Sequence, residues 1–140
     1  MLSLHKHRLV FVVTGLIIVL DQISKYLVVS NNLFYTLNSG IAFSIPLANI
    51  AAFVIGVVIV MVLFFYGDKL VDGQSKIHAA ALGFVMGGSI GNLLDRLRLD
   101  AVIDFIKLPY WPAFNVADGA VTIGVLLVIV LEYGGRVPGR

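Results

Sequence analysis

The chain has 140 residues, of which 59% are hydrophobic and 13% charged, with a formal net charge of +2 and no cysteine. Soluble domains carry about 45–50% apolar and about 25% charged residues, so a soluble fold of this size would lack polar surface to cover its core, and the composition points to one membrane-embedded domain. The missing cysteine excludes disulfides, thiolate metal sites and cysteine nucleophiles; the scattered cations form no basic stripe, so no nucleic-acid partner is expected.

Four apolar runs follow in chain order, at roughly 9–29, 48–66, 77–94 and 116–133. Each is near the ~20 residues that cross a ~30 Å hydrocarbon core as helix, and each must satisfy its own backbone there. Lys6 and Arg8 ahead of the first run imitate a secretory signal peptide. No small-residue cleavage site follows, however, and the run ends in Asp21, Gln22, Ser24 and Lys25, so it reads as a retained first helix. Lys6, Arg8, Lys69, Lys76, Arg136 and Arg140 all fall on one face when four spans are threaded. The positive-inside bias then puts both termini in the cytoplasm.

The inner connection, Gly67 to Ser75, is short and polar. The first outer segment, Ser30 to Leu47, has no lysine or arginine, and its Phe34–Leu37 and Ile41–Phe43 runs suit short strands. The second, about Arg98 to Asn115, contains Val102, Ile103, Pro109, Pro112 and the aromatic pair Tyr110 and Trp111, a pairing that favours the headgroup level. In the third span Gly83, Gly87 and Gly91 recur every four residues, the small-residue spacing that lets helices approach closely in lipid.

With the helices oriented, the unusual polar residues gather at one depth near the outer interface: Asp21, Lys25, Asn38, Ser39, Ser44, Asn92, Asp95, Arg96, Asp104, Asn115 and Asp118. The three histidines fall on the opposite face. An ionisable residue in or beside a span is a functional candidate by default. Each also has a plainer role. Asp21 and Lys25, four apart with the acid first, suit a pair along one helix face. Asp95 with Arg96 suits an interfacial ion pair that organises rather than reacts. Asp118 opens a helix, where a carboxylate caps well, but Asn115 three residues earlier is the better cap and leaves Asp118 to face the bundle.

The absent cysteines and distant histidines exclude a thiol nucleophile and a serine–histidine site, and a zinc site would need several such ligands together. Lys25 with Ser39, Ser44 or Ser89 stays open as a serine–lysine pair. Two carboxylates are the best-supplied option: aspartates sharing one proton can serve as base and acid in the attack of water on a peptide carbonyl. Spacing alone does not choose the pair. A small proton or cation transporter is the main rival of another class, but it expects acids near the midplane. A non-catalytic membrane scaffold is a second.

The motifs Asp21-Gln22-Ile23-Ser24-Lys25, Asn38-Ser39-Gly40-Ile41-Ala42-Phe43-Ser44, Gly87-Gly88-Ser89-Ile90-Gly91-Asn92-Leu93-Leu94-Asp95-Arg96, Val102-Ile103-Asp104-Phe105 and Phe114-Asn115-Val116-Ala117-Asp118 occur in that order. The set closely resembles the lipoprotein signal peptidase (signal peptidase II) family from about residue 8 to 133. The resemblance implies an all-α membrane protein, a four-transmembrane-helix bundle with a small extracytoplasmic β-cradle and a short outer helix. It implies an aspartic endopeptidase of the bacterial inner membrane that cuts diacylglyceryl-modified prolipoproteins just before the lipidated cysteine. By motif position Asp104 and Asp118 are the catalytic dyad, and Asp21, Lys25, Asn38, Gly40, Ala42, Asn92, Arg96, Phe114, Asn115 and Ala117 support the site or contact substrate. No metal or organic cofactor is implied, the partners are prolipoproteins and membrane lipids, and a monomer is expected. Gly119 departs from the serine, alanine or threonine expected after Asp118; a glycine there would loosen the first turn of the last helix and remove a hydroxyl from the site.

Overall fold

Long apolar runs dictate helices, and caps and small residues decide where they stop and how closely they meet. The computed structural model describes residues 4–40, 47–70 and 75–133. Four helices, α1 (Leu4–Ser30), α2 (Leu47–Leu70), α3 (Lys76–Leu99) and α4 (Val116–Tyr133), are joined on one side by two short strands, β1 (Thr36–Asn38) and β2 (Val102–Asp104). Ser75, in extended backbone, accepts the Ile77 amide and caps α3, while Asp100 in the left-handed region (φ 53°) closes it by donating its amide to the Arg96 carbonyl. The helix therefore continues past residue 94 to Leu99. Arg96 and Arg98 are good helix formers, and as cations they complement the dipole of the last turn.

α3 is the central helix, in contact with α1, α2 and α4. A β-carbon at Gly83 or Gly87 would stand 2.7 Å from the β-carbons of Val13 and Ile17, and one at Gly91 would stand 2.7 Å from Asp21 Oδ2. The four-residue glycine spacing is thus the seam against α1. Gly88 faces the other way, where any side chain would collide with the Ala117 carbonyl of α4. The buried apolar residues are mostly small or slender, among them Ala79, Ala81, Ala117 and Ala120, while large ones such as Phe11, Leu16, Leu20, Ile55, Phe64, Phe65, Leu126 and Val130 face outward. That inversion suits an apolar surrounding, where packing rather than burial of large side chains drives helix association. Among the described residues, His7–Ser30 and Lys76–Leu99 are long and apolar enough to cross a membrane, and Phe53–Gly67 is a shorter apolar stretch.

β1 and β2 pair antiparallel, with Thr36 opposite Asp104, Leu37 opposite Ile103 and Asn38 opposite Val102. β1 is exposed along its length and β2 is buried. The first strand begins at Thr36 rather than Phe34; the second expected strand, Ile41–Phe43 with Ala42, and Ser44 after it lie outside the described residues. No short helix separate from the four stands among the described residues, and the connection after β2 is instead a bridge, Ile106 to Phe114, around a turn. The sheet caps the end of the bundle where α1 and α3 finish and α4 begins.

Candidate active site

A buried charge cluster ties α1, α3, β2 and α4 together. Lys25 is 1% exposed, and its ammonium lies 2.7 Å from Asp21 Oδ2 and 2.8 Å from Asp95 Oδ2 and donates to Asn92 Oδ1 at 3.2 Å. Both carboxylates are fully buried. Asp21 spends its second oxygen on the Ala117 amide at 2.9 Å, which pins the start of α4 to α1. Asp95 accepts the Ile103 amide at 3.2 Å, which pins β2 to α3. The expected pairing of Asp95 with Arg96 is not what forms. Asp95 points back into the bundle, to Lys25, Gln22 and Arg98, because residues 92, 95 and 98 share the helix face turned toward α1. Three participants were thus missed from sequence: Asp95 as an inward anchor, Gln22, which donates to Asp21 and Asp95, and Arg98, which donates to Gln22 Oε1. The spacing of Asn92, Asp95 and Arg98 was their available signal.

The cluster positions a second set of polar groups. Asn115 caps α4, accepting the Asp118 amide at 2.9 Å, and its own amide donates to Asp118 Oδ2 at 3.2 Å. This reciprocal arrangement is a capping box, so Asp118 both caps and faces the site. Its other oxygen accepts Asn92 Nδ2 at 2.8 Å. Asn92 is oriented for this because its carbonyl oxygen already takes donors from Lys25 and from Asn115 Nδ2.

Asp104 ends β2 and is 2% exposed. Its oxygens accept Asn115 Nδ2 at 2.8 Å and Asn38 Nδ2 at 3.0 Å. Asn38 is held in turn by Gly40, whose amide donates to Asn38 Oδ1 at 3.0 Å from left-handed backbone, φ 68°, that favours glycine. Burial pushes the Asp104 carboxyl above its ordinary value; the Asn38 bond opposes this, the Asp118 charge adds to it, and Asn115 and Lys25 pull it back. Phe114 contributes through its backbone, exchanging bonds with Phe105 and Ile106 that fold the chain back and bring Asn115 beside Asp104. Ala117, 0% exposed, is the small residue that lets α4 touch both Asp21 and Gly88.

Asp118, Asn92 and Arg96 open onto a groove of about 460 Å³ between α2, α3 and α4, lined further by Ile55, Gly56, Ile59 and Val121 and by the hydroxyl residues Ser89 and Thr122. The Arg96 Nε is buried there without a hydrogen-bond partner. The serine–lysine alternative finds no support, since the Lys25 ammonium is committed to Asp21, Asp95 and Asn92. His78 lies at the far end of α3, 4.0 Å from Glu132. A Cβ at Gly119 would meet nothing within 4 Å, so the glycine is not required there by close packing. Two carboxyls are thus held through one asparagine, one of them with a raised proton affinity, and groups of this kind can serve as acid or base.

Residues 13–133 match the family model described as Signal peptidase (SPase) II. The chain is 36% identical over 138 residues to a lipoprotein signal peptidase of Dehalococcoides mccartyi, covering 86% of each chain. It is 34% identical to that of Moorella thermoacetica over 81% of this chain and 85% of that one, and 32% identical to that of Listeria monocytogenes over 88% and 92%. Two solved structures described as bacterial membrane enzymes share the fold. One has a TM-score of 0.80 at 24% identity over 91% of this chain and 94% of that one; the other has 0.76 at 22% over 94% and 93%. Since the match spans every element that holds the buried cluster and the two hydrogen-bonded carboxyls, the chain belongs to the signal peptidase II family.

Proposed function

We propose that the chain is an intramembrane aspartic endopeptidase that removes the signal peptide from diacylglyceryl-modified prolipoproteins, cutting just before the lipidated cysteine. All four helices cross the bacterial cytoplasmic membrane, both termini face the cytoplasm, and the site lies near the outer face. The observation that carries this reading is the shared Asn115. It bonds Asp104 through its side chain and Asp118 through its backbone, so two acids whose charges repel are held side by side. Asp104, the more deeply buried, acts as acid; Asp118, in the first turn of α4, is the base that takes a proton from water. The water attacks the scissile carbonyl while Asp104 hydrogen-bonds the oxyanion; Asp104 gives its one proton to the amine as the C–N bond breaks, and the proton that Asp118 took from water restores it. No covalent intermediate is needed. The groove receives the signal helix and acyl chains, with Arg96 and Asn92 at the polar end beside the peptide.

The test is cleavage of a diacylglyceryl prolipoprotein in detergent by the wild type, Asp104→Asn and Asp118→Asn. Loss of cleavage in both variants, with unchanged thermal unfolding, is the expected result. Retained cleavage in either one sinks the two-aspartate mechanism.

A further inference from the structure

The connection between β2 and α4 carries a surface that the acids do not use. Its tip is a turn in which the Trp111 amide donates to the Leu108 carbonyl at 3.3 Å, with Tyr110 in the left-handed region at φ 62°. Pro109 and Pro112 flank and stiffen it. Leu108 and Trp111 are 51% and 66% exposed, and Tyr110 is fully exposed. Phe34, also exposed, extends the patch, and the Lys107 ammonium stands 5.3 Å from its ring centroid. Lys107 is the one charge between residues 107 and 112. An apolar tip of this kind marks an interaction surface. Trp and Tyr with a lysine match the membrane–water interface, where the rings straddle apolar and wet layers and a cation meets lipid phosphate. The tip belongs to the connection at one end of a bundle whose outward faces carry exposed apolar residues.

We infer that the tip formed by Lys107 to Trp111, with Phe34, docks on the headgroup layer of the outer leaflet, its rings among the headgroups and its ammonium on lipid phosphate. The inference rests on the membrane orientation proposed above. The Ile106–Phe114 bridge is a short lever between this tip and Asp104. Docking therefore fixes the depth of Asp104 relative to the bilayer surface, where a lipid-anchored substrate presents its bond.

Trp111 is the single tryptophan of the chain and reports on this directly. The protein is placed in phosphatidylcholine–phosphatidylglycerol vesicles carrying lipids brominated either near the headgroup end or near the tail end of the acyl chains. The expected result is a blue-shifted emission, quenching stronger with shallow than with deep bromines, and acrylamide quenching several-fold below that of free N-acetyltryptophanamide. Lys107→Glu weakens the shallow quenching. Emission and acrylamide quenching of a water-exposed indole, without bromine quenching, overturns the assignment, as does dominant deep quenching. An indole that stays in water until a diacylglyceryl prolipoprotein peptide is added, and is then shielded, makes the tip a substrate contact and also overturns it. Failure of the wild type to float with the vesicles sinks both this inference and the membrane orientation. Shallow quenching in vesicles that show no cleavage leaves the docking intact and sinks only the proposed reaction.

Discussion

Asn115 and Asp118 hold each other: the Asp118 amide donates to Asn115 Oδ1 at 2.9 Å while the Asn115 amide donates to Asp118 Oδ2 at 3.2 Å. One residue is thereby asked to cap a helix, position one acid through its backbone and bond the other through its side chain. These roles separate by substitution. Asn115→Ala loses the cap, about 1 kcal/mol, and the donor to Asp104, and cleavage falls by about 10²-fold as the acids lose alignment. Asn115→Ser retains a capping oxygen but no amide donor. Thermal unfolding of the serine variant returns toward wild type while its cleavage stays low; recovery of both would show that capping alone matters.

The raised proton affinity of Asp104 predicts the alkaline side of the pH profile. A carboxyl that binds its proton more tightly folded than unfolded stabilises fully below its unfolded pKa and loses that contribution as pH rises through the folded one. Cleavage that needs protonated Asp104 declines over the same rise. Asn38→Ala removes the bond that opposes the shift, so its alkaline limb moves to higher pH. Asp118→Asn removes the like charge and lowers the Asp104 value, read from the infrared band of the protonated carboxyl. A limb unmoved in Asn38→Ala would assign the titration to another group.

Gly91 and Gly119 lie on opposite sides of the same question. A methyl at Gly91 would stand 2.7 Å from the Asp21 carboxylate that holds the Ala117 amide, whereas one at Gly119 meets nothing within 4 Å. Gly91→Ala should destabilise by about 1–3 kcal/mol and depress cleavage. Gly119→Ala should stabilise by about 0.5–1 kcal/mol with cleavage unchanged. Parallel unfolding and cleavage measurements check both, and a damaging Gly119→Ala would return that position to the site.

Lys25→Met leaves two fully buried carboxylates without their shared cation, a loss of about 3–5 kcal/mol for a broken buried pair. Adding Asp95→Asn removes one of the stranded charges, and partial recovery of the unfolding temperature is expected. Absence of any recovery would mean that the Ile103 amide bond, rather than charge, is what Asp95 supplies.

The four helices were legible because long apolar runs dictate helix, and their ends bring Asp21, Lys25, Asp95 and Asp118 to the same end of the bundle as Asp104. The motif order pointed to the family and to Asp104 and Asp118, which the fold brings onto the same asparagine. What could not be read was the direction of side chains at a helix end. Asp95 beside Arg96 looks like a surface pair in one dimension, yet the helical turn sends Asp95 inward to Lys25 and Arg96 into the groove. Asn115 is the cap and Asp118 does face the bundle, and what the sequence left unread is that a carboxylate has two oxygens: one takes the Asn115 amide while Asn92 holds the other.

The buried cluster has a consequence for how such a protein is assembled. Its acids and bases are paired first within a helix, Asp21 with Lys25 on α1 and Asp95 with Arg98 on α3. Each helix thus carries a counter-charge of its own, and Lys25 in addition reaches the second acid across the seam with α3. Separating α1 from α3 would strip Asp95 of Lys25 but leave it Arg98, and would leave Lys25 its partner Asp21, so neither helix would be left with a wholly unpaired ion.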